Sequence, residues 1–457
     1  MVEEALANLT GLISSRRASV GVFGAGYVGL PLACAFAEAG LKTYAGDTDR
    51  EKVREILRGH CYVEDDYVKE LLPGLVASGV LTAEHDTARL AAIVDFAIIT
   101  VPTPLDERRD PDLTNVVKVA ETIAEELRPG KFVILESSVY PGTTEQVVKP
   151  ILEEGGLRAG QHFGLAFSPE RIDYGNAEWN IKNTPKVVGG VSPLCTRIAA
   201  ELYGTAVQAQ IVPVSDMRTA EATKALENTY RYVNIALVNE LAILCEKLGI
   251  DFFEVVVAAA TKPFGFQAFY PGPGVGGHCI PKDPHYLLYR ARQVGHSLRL
   301  VEASAQTNDH MIDHTIERLE NRFEAQGRNL RGLKAALLGL AFKGNVSDTR
   351  SSPSIVMAER LMGFGVEVSA YDPFVQKVTT KNGTMISAES LESAIRKADI
   401  MVLMTPHAAF REIDLKKLRA SMQPGAIVID TRGFWSPSEC KRAGFEYLGI
   451  GRPDGIT

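Results

Sequence analysis

The chain states one pattern twice. Near its start, SVGVFGAGYVGL (19–30) is a short apolar run, a glycine turn and an apolar continuation, and LKTYAGD (41–47) returns as a second apolar run ending in Asp47. Three hundred residues later, LKAALLGLAFKGN (333–345) and VEVSAYDP (366–373) repeat the scheme and end in Asp372. The echoes continue: DFAIITVPTP (95–104) corresponds to ADIMVLMTPH (398–407), and KFVILESSV (131–139) to GAIVIDTRG (425–433). Continuous apolar runs, rather than alternating ones, suit parallel strands covered by helices on both faces. The fold class expected is α/β, with two doubly wound Rossmann-type domains.

Between the repeats, Asp216 to Leu248 contains neither glycine nor proline. Ala225, Ala236, Leu237, Leu241 and Leu244 recur there at helical spacing. A helix of that length spans about 50 Å, more than one small domain needs. It reads as a central helix joining the two repeats and as a dimerisation element, and it ends at Gly249. The division expected is 1–212, a dinucleotide-binding domain; 213–325, a central helical domain; and 326–457, a second nucleotide-binding domain. Glu221, Lys224 and Asn228 share one helix face, and the reading places Leu237 and Leu241 near it, so that this face is partly covered.

A net charge of −7 argues against non-specific binding to nucleic acid. Six cysteines are scattered without metal-ligand spacing, which fits a reducing cytoplasm and no disulfide framework. The start, MVEEALANLTGLISSRR, lacks the pattern of a signal peptide, and no apolar run approaches the length of a membrane span. No metal site is expected.

Gly24-Ala25-Gly26-Tyr27-Val28-Gly29 is a GxGxxG that follows a strand and opens a helix. The first glycine makes the tight turn, the second lets backbone approach a pyrophosphate, and the third lets helix pack on strand. Asp47 then stands where a carboxylate would bind the ribose hydroxyls of NAD and repel the 2′-phosphate of NADP. The cofactor expected is NAD. The second unit replaces this pattern with GLAFKG (339–344) and a longer turn carrying Lys343 and Arg350, two cations suited to a diphosphate.

GVGGHCIPKD (274–283) places a lone cysteine in a glycine-rich loop, close to Lys282 and Asp283. With NAD accepting hydride and Lys224 stabilising an alkoxide, such a thiol allows a second oxidation. A thiolate adds to an aldehyde, the thiohemiacetal yields a second hydride, and the thioester is hydrolysed. His278 adjoins the cysteine, although adjacency in sequence does not require it to face the thiol. Cys34 and Cys245 lie on apolar helical stretches and read as core.

These segments resemble the UDP-glucose/GDP-mannose dehydrogenase family. GAGYVGLP (24–31), VPTPLD (101–106), ESSVYPGTTE (136–145), SPERIDYGN (168–176), AEATKALENTYRYVNIALVNE (220–240), PGPGVGGHCIPKDP (271–284), GLAFKGNVSDTRSSPS (339–354) and YDP (371–373) occur in family order. The resemblance implies Cys279 as nucleophile, with Asp283, Lys224, Asn228, Glu170 as general base and Ser138 as its catalytic companions. It implies cofactor contacts at Gly24, Gly26, Tyr27, Val28, Gly29, Asp47, Pro102, Thr103, Ser138 and Arg350. For the substrate it implies Glu170, Arg171, Lys224, Asn228, Phe269, Tyr270, Gly272, Gly277, Phe342, Lys343 and Arg432. It further implies a UDP-sugar substrate and a homodimer or higher homo-oligomer.

One position departs from the family pattern. UDP-glucose dehydrogenases commonly carry a second glutamate four residues after Glu170, where this chain has Tyr174. SPERIDYGN, with TKPFGFQAFYPGPG before the cysteine, resembles the UDP-N-acetylglucosamine 6-dehydrogenase branch instead. The expected reaction is four-electron oxidation at C6 of that sugar nucleotide, feeding surface polysaccharide or glycan synthesis. UDP-N-acetylmannosamine and UDP-glucose are alternative substrates. A two-electron β-hydroxyacid dehydrogenase leaves Cys279 and the second nucleotide-binding unit without a role, and a silent nucleotide sensor leaves the whole catalytic set unused.

Overall fold

A computed structural model describes residues 2–455 other than 174, 175 and 177, with backbone only for 2–5. The chain separates into two compact units, Met1–Glu227 with His285–His296, and Asn228–Pro284 with Ser297–Thr457.

The first unit is built on eight strands: β1 (Ser19–Phe23), β2 (Lys42–Gly46), β3 (Leu81–Glu84), β4 (Phe96–Ile99), β5 (Phe132–Leu135), β6 (Gly164–Phe167), β7 (Lys186–Gly190) and β8 (Ile211–Pro213). Their order is β3-β2-β1-β4-β5-β6-β7-β8, all neighbours parallel except β6 and β7. The antiparallel pair is short, matching Ala166 with Gly190 and Phe167 with Gly189. The central strands bury both faces, which explains their unbroken apolar runs. Phe96 and Ile98 join one core with Val20, Val22 and Phe36, while Ala97 and Ile99 join the other with Phe23, Val133 and Leu135. Each fully buried side chain of this kind contributes about 1.5–3 kcal/mol. Strand order reverses direction at β1, so the crevice beyond the carboxyl ends of β1 and β4 is where an open α/β sheet receives a ligand.

The second unit carries β9 (Lys334–Leu338), β10 (Glu367–Tyr371), a hairpin of β11 (Lys377–Thr380) and β12 (Gly383–Ile386), β13 (Ile400–Leu403), β14 (Ile427–Asp430) and β15 (Glu446–Gly449). Its parallel sheet runs β10-β9-β13-β14-β15 and also reverses at its first strand. Two Rossmann-type sheets are therefore present, as the internal repetition predicts. The strands without long apolar runs, such as β3, β8 and the β11–β12 hairpin, are those that periodicity misses.

The glycine-free run forms one helix, Met217–Leu248. Ala225 and Ala236 are buried, but Leu237, Leu241 and Leu244 are exposed. The expectation that these leucines extend the face of Glu221 and Lys224 is corrected. At about 100° per residue they fall on the opposite side of the helix. Cys34 is fully buried, whereas Cys245 is only half-buried beside its apolar cluster. Among the described residues, no helix is long and apolar enough to cross a membrane.

Candidate active site

Gly24 takes φ +106°, a conformation that side chains rarely adopt, and a Cβ there would lie 2.7 Å from the Thr100 carbonyl oxygen. A Cβ on Gly29 would lie 1.9 Å from the Gly24 carbonyl oxygen, so the helix Gly29–Glu38 starts hard against the turn. Gly26 is different: nothing stands within 4 Å of where its Cβ would be. Open space at the second glycine and crowding at the first and third are what a pyrophosphate-binding turn requires. Asp47 reaches back to the turn. Its Oδ2 accepts from the Ala25 amide (3.1 Å) and Oδ1 from the Asp49 amide (2.9 Å). Lys52, a residue the sequence reading passed over, lies 3.2 Å from the same carboxylate. These residues fit NAD: the open turn would take the phosphates and Asp47 a ribose. Tyr27 is exposed and Val28 half-buried along the same turn.

Thr103 ties the neighbouring loops together. Its hydroxyl donates to the Ser138 carbonyl (2.7 Å), and its own carbonyl accepts from the Tyr286 hydroxyl. The Pro102 carbonyl accepts from Asn115 (3.0 Å). Ser138 remains half-buried after β5.

Glu170 follows β6 and is buried. Its Oε1 accepts from the amides of Arg171 (2.6 Å) and Ile172 (2.7 Å), while Oε2 lies 3.6 Å from the Lys186 ammonium. Burial alone would raise its pKa. Lys186 outweighs that with help from Glu136, Lys224 and the Ile172 amide, so the carboxyl titrates below the usual range. Arg171 is bound at two points by Glu227 and donates to the Pro185 carbonyl (2.7 Å). Its guanidinium braces the Glu170 segment against the long helix. Lys224 is buried on that helix. Glu221, one turn earlier, accepts from the amides of Gly142 and Thr144 and from the Thr144 hydroxyl. Burial pushes its pKa up to about 7, and its task is to hold the 142–144 turn. Tyr174 lies outside the described residues.

The second unit holds the thiol. Cys279 is half-buried, and its carbonyl accepts from the amides of Lys282 (3.0 Å) and Asp283 (2.8 Å), fixing it just before the helix Asp283–Gln293. The Asp283 Oδ2 accepts from Asn228 Nδ2 at 2.6 Å. His278 Nδ1 stands 3.6 Å from the sulfur, so this neighbour does face it. Sequence adjacency is too weak a signal to show that, because rotamers decide it. Asn239 accepts from the Gly272 amide (2.9 Å) and donates to Asn308 (2.9 Å), pinning the glycine-rich loop to helix side chains. Phe342 packs over Gly276 and Gly277, where any Cβ would come within 2.8 Å of it. The 339–352 turn and the cysteine loop therefore need each other.

Within that turn, Lys343 is half-buried, and Arg350 is held by Asp348 through Nε (3.0 Å) and Nη2 (2.5 Å). Arg432 is half-buried, donates to the Met404 carbonyl (3.0 Å) and passes where a Gly272 side chain would be. Burial brings its pKa down to about 10, with Asp430 opposing. Phe269 meets Tyr230 edge-on, and the exposed Tyr270 stacks on Phe253.

The structure thus gathers the expected residues into two groups. The first unit holds the GxGxxG turn, Asp47, Pro102, Thr103, Ser138, Glu170, Arg171 and Lys224. The second holds Asn228, Phe269, Tyr270, Gly272, Gly277, Cys279, Asp283, Phe342, Lys343, Arg350 and Arg432. One group with metal-ligand spacing escaped the sequence reading. His310, His314 and Glu317 bring ligand atoms within 4.8 Å of one another, at i, i+4 and i+7 on the helix Arg299–Glu324.

Comparison with known proteins adds three matches in chain order. The NAD-binding, central and UDP-binding domain models of the UDP-glucose/GDP-mannose dehydrogenase family match residues 18–207, 218–310 and 336–437. The chain is 35% identical over 415 residues to a UDP-N-acetyl-D-glucosamine 6-dehydrogenase of Pseudomonas aeruginosa, covering 90% of this chain and 96% of that one. It is 34% identical over 438 residues to a UDP-N-acetyl-D-mannosamine dehydrogenase of Pyrococcus horikoshii, covering 95% and 99%. The solved structure of a UDP-D-ManNAc dehydrogenase from Pyrococcus horikoshii superposes with a TM-score of 0.87 at 33% identity, over 95% of this chain and 99% of that one. Matches to all three domains, on a chain whose two Rossmann-type sheets carry an open dinucleotide turn and a cysteine loop, lead to one conclusion: this chain belongs to the UDP-glucose/GDP-mannose dehydrogenase family and is an NAD-dependent oxidoreductase of UDP-sugars.

Proposed function

We propose that the chain oxidises the C6 alcohol of UDP-N-acetylglucosamine to the uronic acid in two successive hydride losses, with Cys279 holding the intermediate. The carrying observation is the Cys279 loop: a half-buried thiol with an imidazole 3.6 Å away, just ahead of an Asn228–Asp283 pair. The GxGxxG turn and Asp47 would hold NAD, which when bound would supply the hydride acceptor for both oxidations. Lys224 holds the alcohol oxygen as its proton leaves, and Glu170 takes a proton at Oε2. The Cys279 thiolate adds to the aldehyde carbon, and loss of the second hydride leaves a thioester. Water then releases the carboxylate and restores the thiol. The balance is one alcohol and one water converted to a carboxylate, with two hydrides and three protons given up. Lys343 and Arg432 are assigned to the UDP portion, and the three-part division at 212 and 325 is retained as the working domain scheme.

The acetamido sugar is supported by the names of the two relatives above, and the P. horikoshii proteins favour the manno epimer as the second reading. The product is suited to surface polysaccharide synthesis. A panel of UDP-sugars, assayed for NADH per sugar, tests substrate and stoichiometry together. Two NADH per sugar, fastest with UDP-N-acetylglucosamine, is expected; one NADH rejects the four-electron scheme. Cys279→Ser is expected to lower acid production by at least a thousandfold while leaving NAD affinity intact. Unimpaired acid production removes the thiol from the mechanism.

We also infer a homodimer. Tyr230, Leu237, Leu241, Leu244 and Leu248 form one exposed apolar face of the long helix, and burying such a face is favourable by about 25 cal/mol per Å². Light scattering on the purified protein should give twice the mass of 49.6 kDa, and Leu241→Glu should return it to one.

A further inference from the structure

Behind Glu170 lies an ionic cluster that the proposed reaction does not use. Lys186, on β7, pairs with Glu136 at the end of β5, and Glu136 also accepts from the Tyr203 hydroxyl at 2.5 Å. The Lys186 ammonium sits 4.8 Å over the Tyr203 ring. All three side chains are buried, those of Lys186 and Glu136 at 6% and 0% exposure. A buried ion pair is poor evidence of stability, since apolar residues of similar volume often do as well or better. Its retention calls for another account.

The geometry supplies one. Glu170 has its Oε1 saturated by two amides, while Oε2 is buried and has no hydrogen-bond partner among the described residues. That open oxygen is the one that lies 3.6 Å from Lys186. The Thr184 hydroxyl, also buried and without a partner among the described residues, lines the same small cavity as Glu170 and Lys186. We propose that Lys186 and Glu136 are positioning residues that set the protonation of Glu170, Lys186 favouring the carboxylate, and Glu136 favouring it while its own carboxyl is protonated and opposing it once ionised. This deepens the reading of Glu170 as general base and rests on it. The charged and titratable groups facing Glu170 are Lys186 from β7, Glu136 from β5, Tyr203 from the helix Pro193–Ala206 behind Glu136, and Lys224 from the long helix. Arg171 is neutralised by Glu227. Burial pushes Glu136 up to about 7, so its charge varies near neutral pH and can modulate that of Glu170.

The two partners predict opposite effects. Lys186→Met removes a positive charge, so the Glu170 proton is held to higher pH. Glu136→Gln keeps this neighbour neutral and able to donate at every pH, so that proton is lost at lower pH. With the full-length enzyme, NAD and the best UDP-sugar of the panel, kcat is measured against pH for both variants and for Lys186→Arg. The acid limb should move up by about one unit in Lys186→Met, a tenfold loss of rate on that limb, recovered by raising the pH. It should move down in Glu136→Gln and stay near wild type in Lys186→Arg, with the KM for NAD unchanged throughout. Should Lys186→Met fail to fold, Glu136→Gln and Lys186→Arg still carry the test. Shifts of the same sign, or none, overturn the proposal. Glu170→Gln separates the two ideas: full activity there refutes the general base itself, whereas an inactive Glu170→Gln beside unshifted partner variants refutes only the role of Lys186 and Glu136.

Discussion

The two strand-to-helix turns descend from the same sequence scheme and end as opposites. In the first unit the helix begins five residues after Gly24, Gly26 has nothing within 4 Å, and Asp47 sits at the rim with a partner of modest strength in Lys52. In the second, the helix Pro353–Gly363 begins fourteen residues after Gly339, and Asp372 is consumed internally. Its Oδ2 accepts from the amides of Leu340 (2.6 Å) and Ala341 (3.1 Å) and pairs with buried His407 at 3.0 Å, while Oδ1 accepts from Phe374 and Val375. A carboxylate so engaged has no oxygen to offer a ribose. The second turn has become a fold element, and the proposed function passes binding to the side chains of its longer loop. A shared strand, turn and acid therefore do not imply a shared ligand.

The contrast can be broken at five positions. The largest effect is expected within the first turn itself. Gly29→Val places a Cβ 1.9 Å from a carbonyl oxygen and should cost more than about 4 kcal/mol, visible as loss of cooperative melting. Gly26→Val has room and should keep the melting temperature while weakening NAD more than about a hundredfold, with UDP affinity unchanged. Calorimetric titration with each nucleotide separates the two.

Next come the acids. Asp372→Ala strands a buried partner and should destabilise by about 3–5 kcal/mol in chemical denaturation, with the KM for NAD unaltered. Asp47→Ala should do the reverse, raising the KM for NAD about tenfold and admitting NADP at little cost in stability. Equal loss of stability in both would erase the distinction between the turns.

A smaller effect follows from pH. Burial would raise the Asp372 pKa, but His407 and the surrounding amides hold it below the usual carboxylate value. An acid with a depressed native pKa contributes stability that is present above its unfolded value, near 3.9, and is lost as pH falls through the native value. Melting temperature should therefore drop below about pH 4, with a shallower slope in Asp372→Asn. The least effect belongs to Lys52→Ala, a surface pair, which should change NAD affinity by less than about 1 kcal/mol in the same titrations.

Much of this architecture is legible in the sequence because strands buried on both faces leave unbroken apolar runs, as in Phe96–Ile99 and Ile427–Asp430. Glycine spacing likewise exposes the dinucleotide turn. Other features are not legible in that way. Leu237 and Leu241 continue a buried face only if helix rotation is left uncounted, and His278 faces the sulfur through a rotamer that no spacing reports. Lys186 and Glu136 carry no motif; strands from distant parts of the chain bring them together.

By itself, then, the sequence determined two mainly parallel α/β sheets, an NAD-type turn and a lone thiol in a glycine loop, because backbone conformation and apolar periodicity are local properties. Only the tertiary structure decided which acids stay available. Asp47 stays partly exposed beside the open turn at Gly26, Asp372 is spent on its own turn, and Glu170 meets a buried lysine from another strand. Availability depends on what surrounds a carboxylate in space, and neighbours in space are not neighbours in the chain.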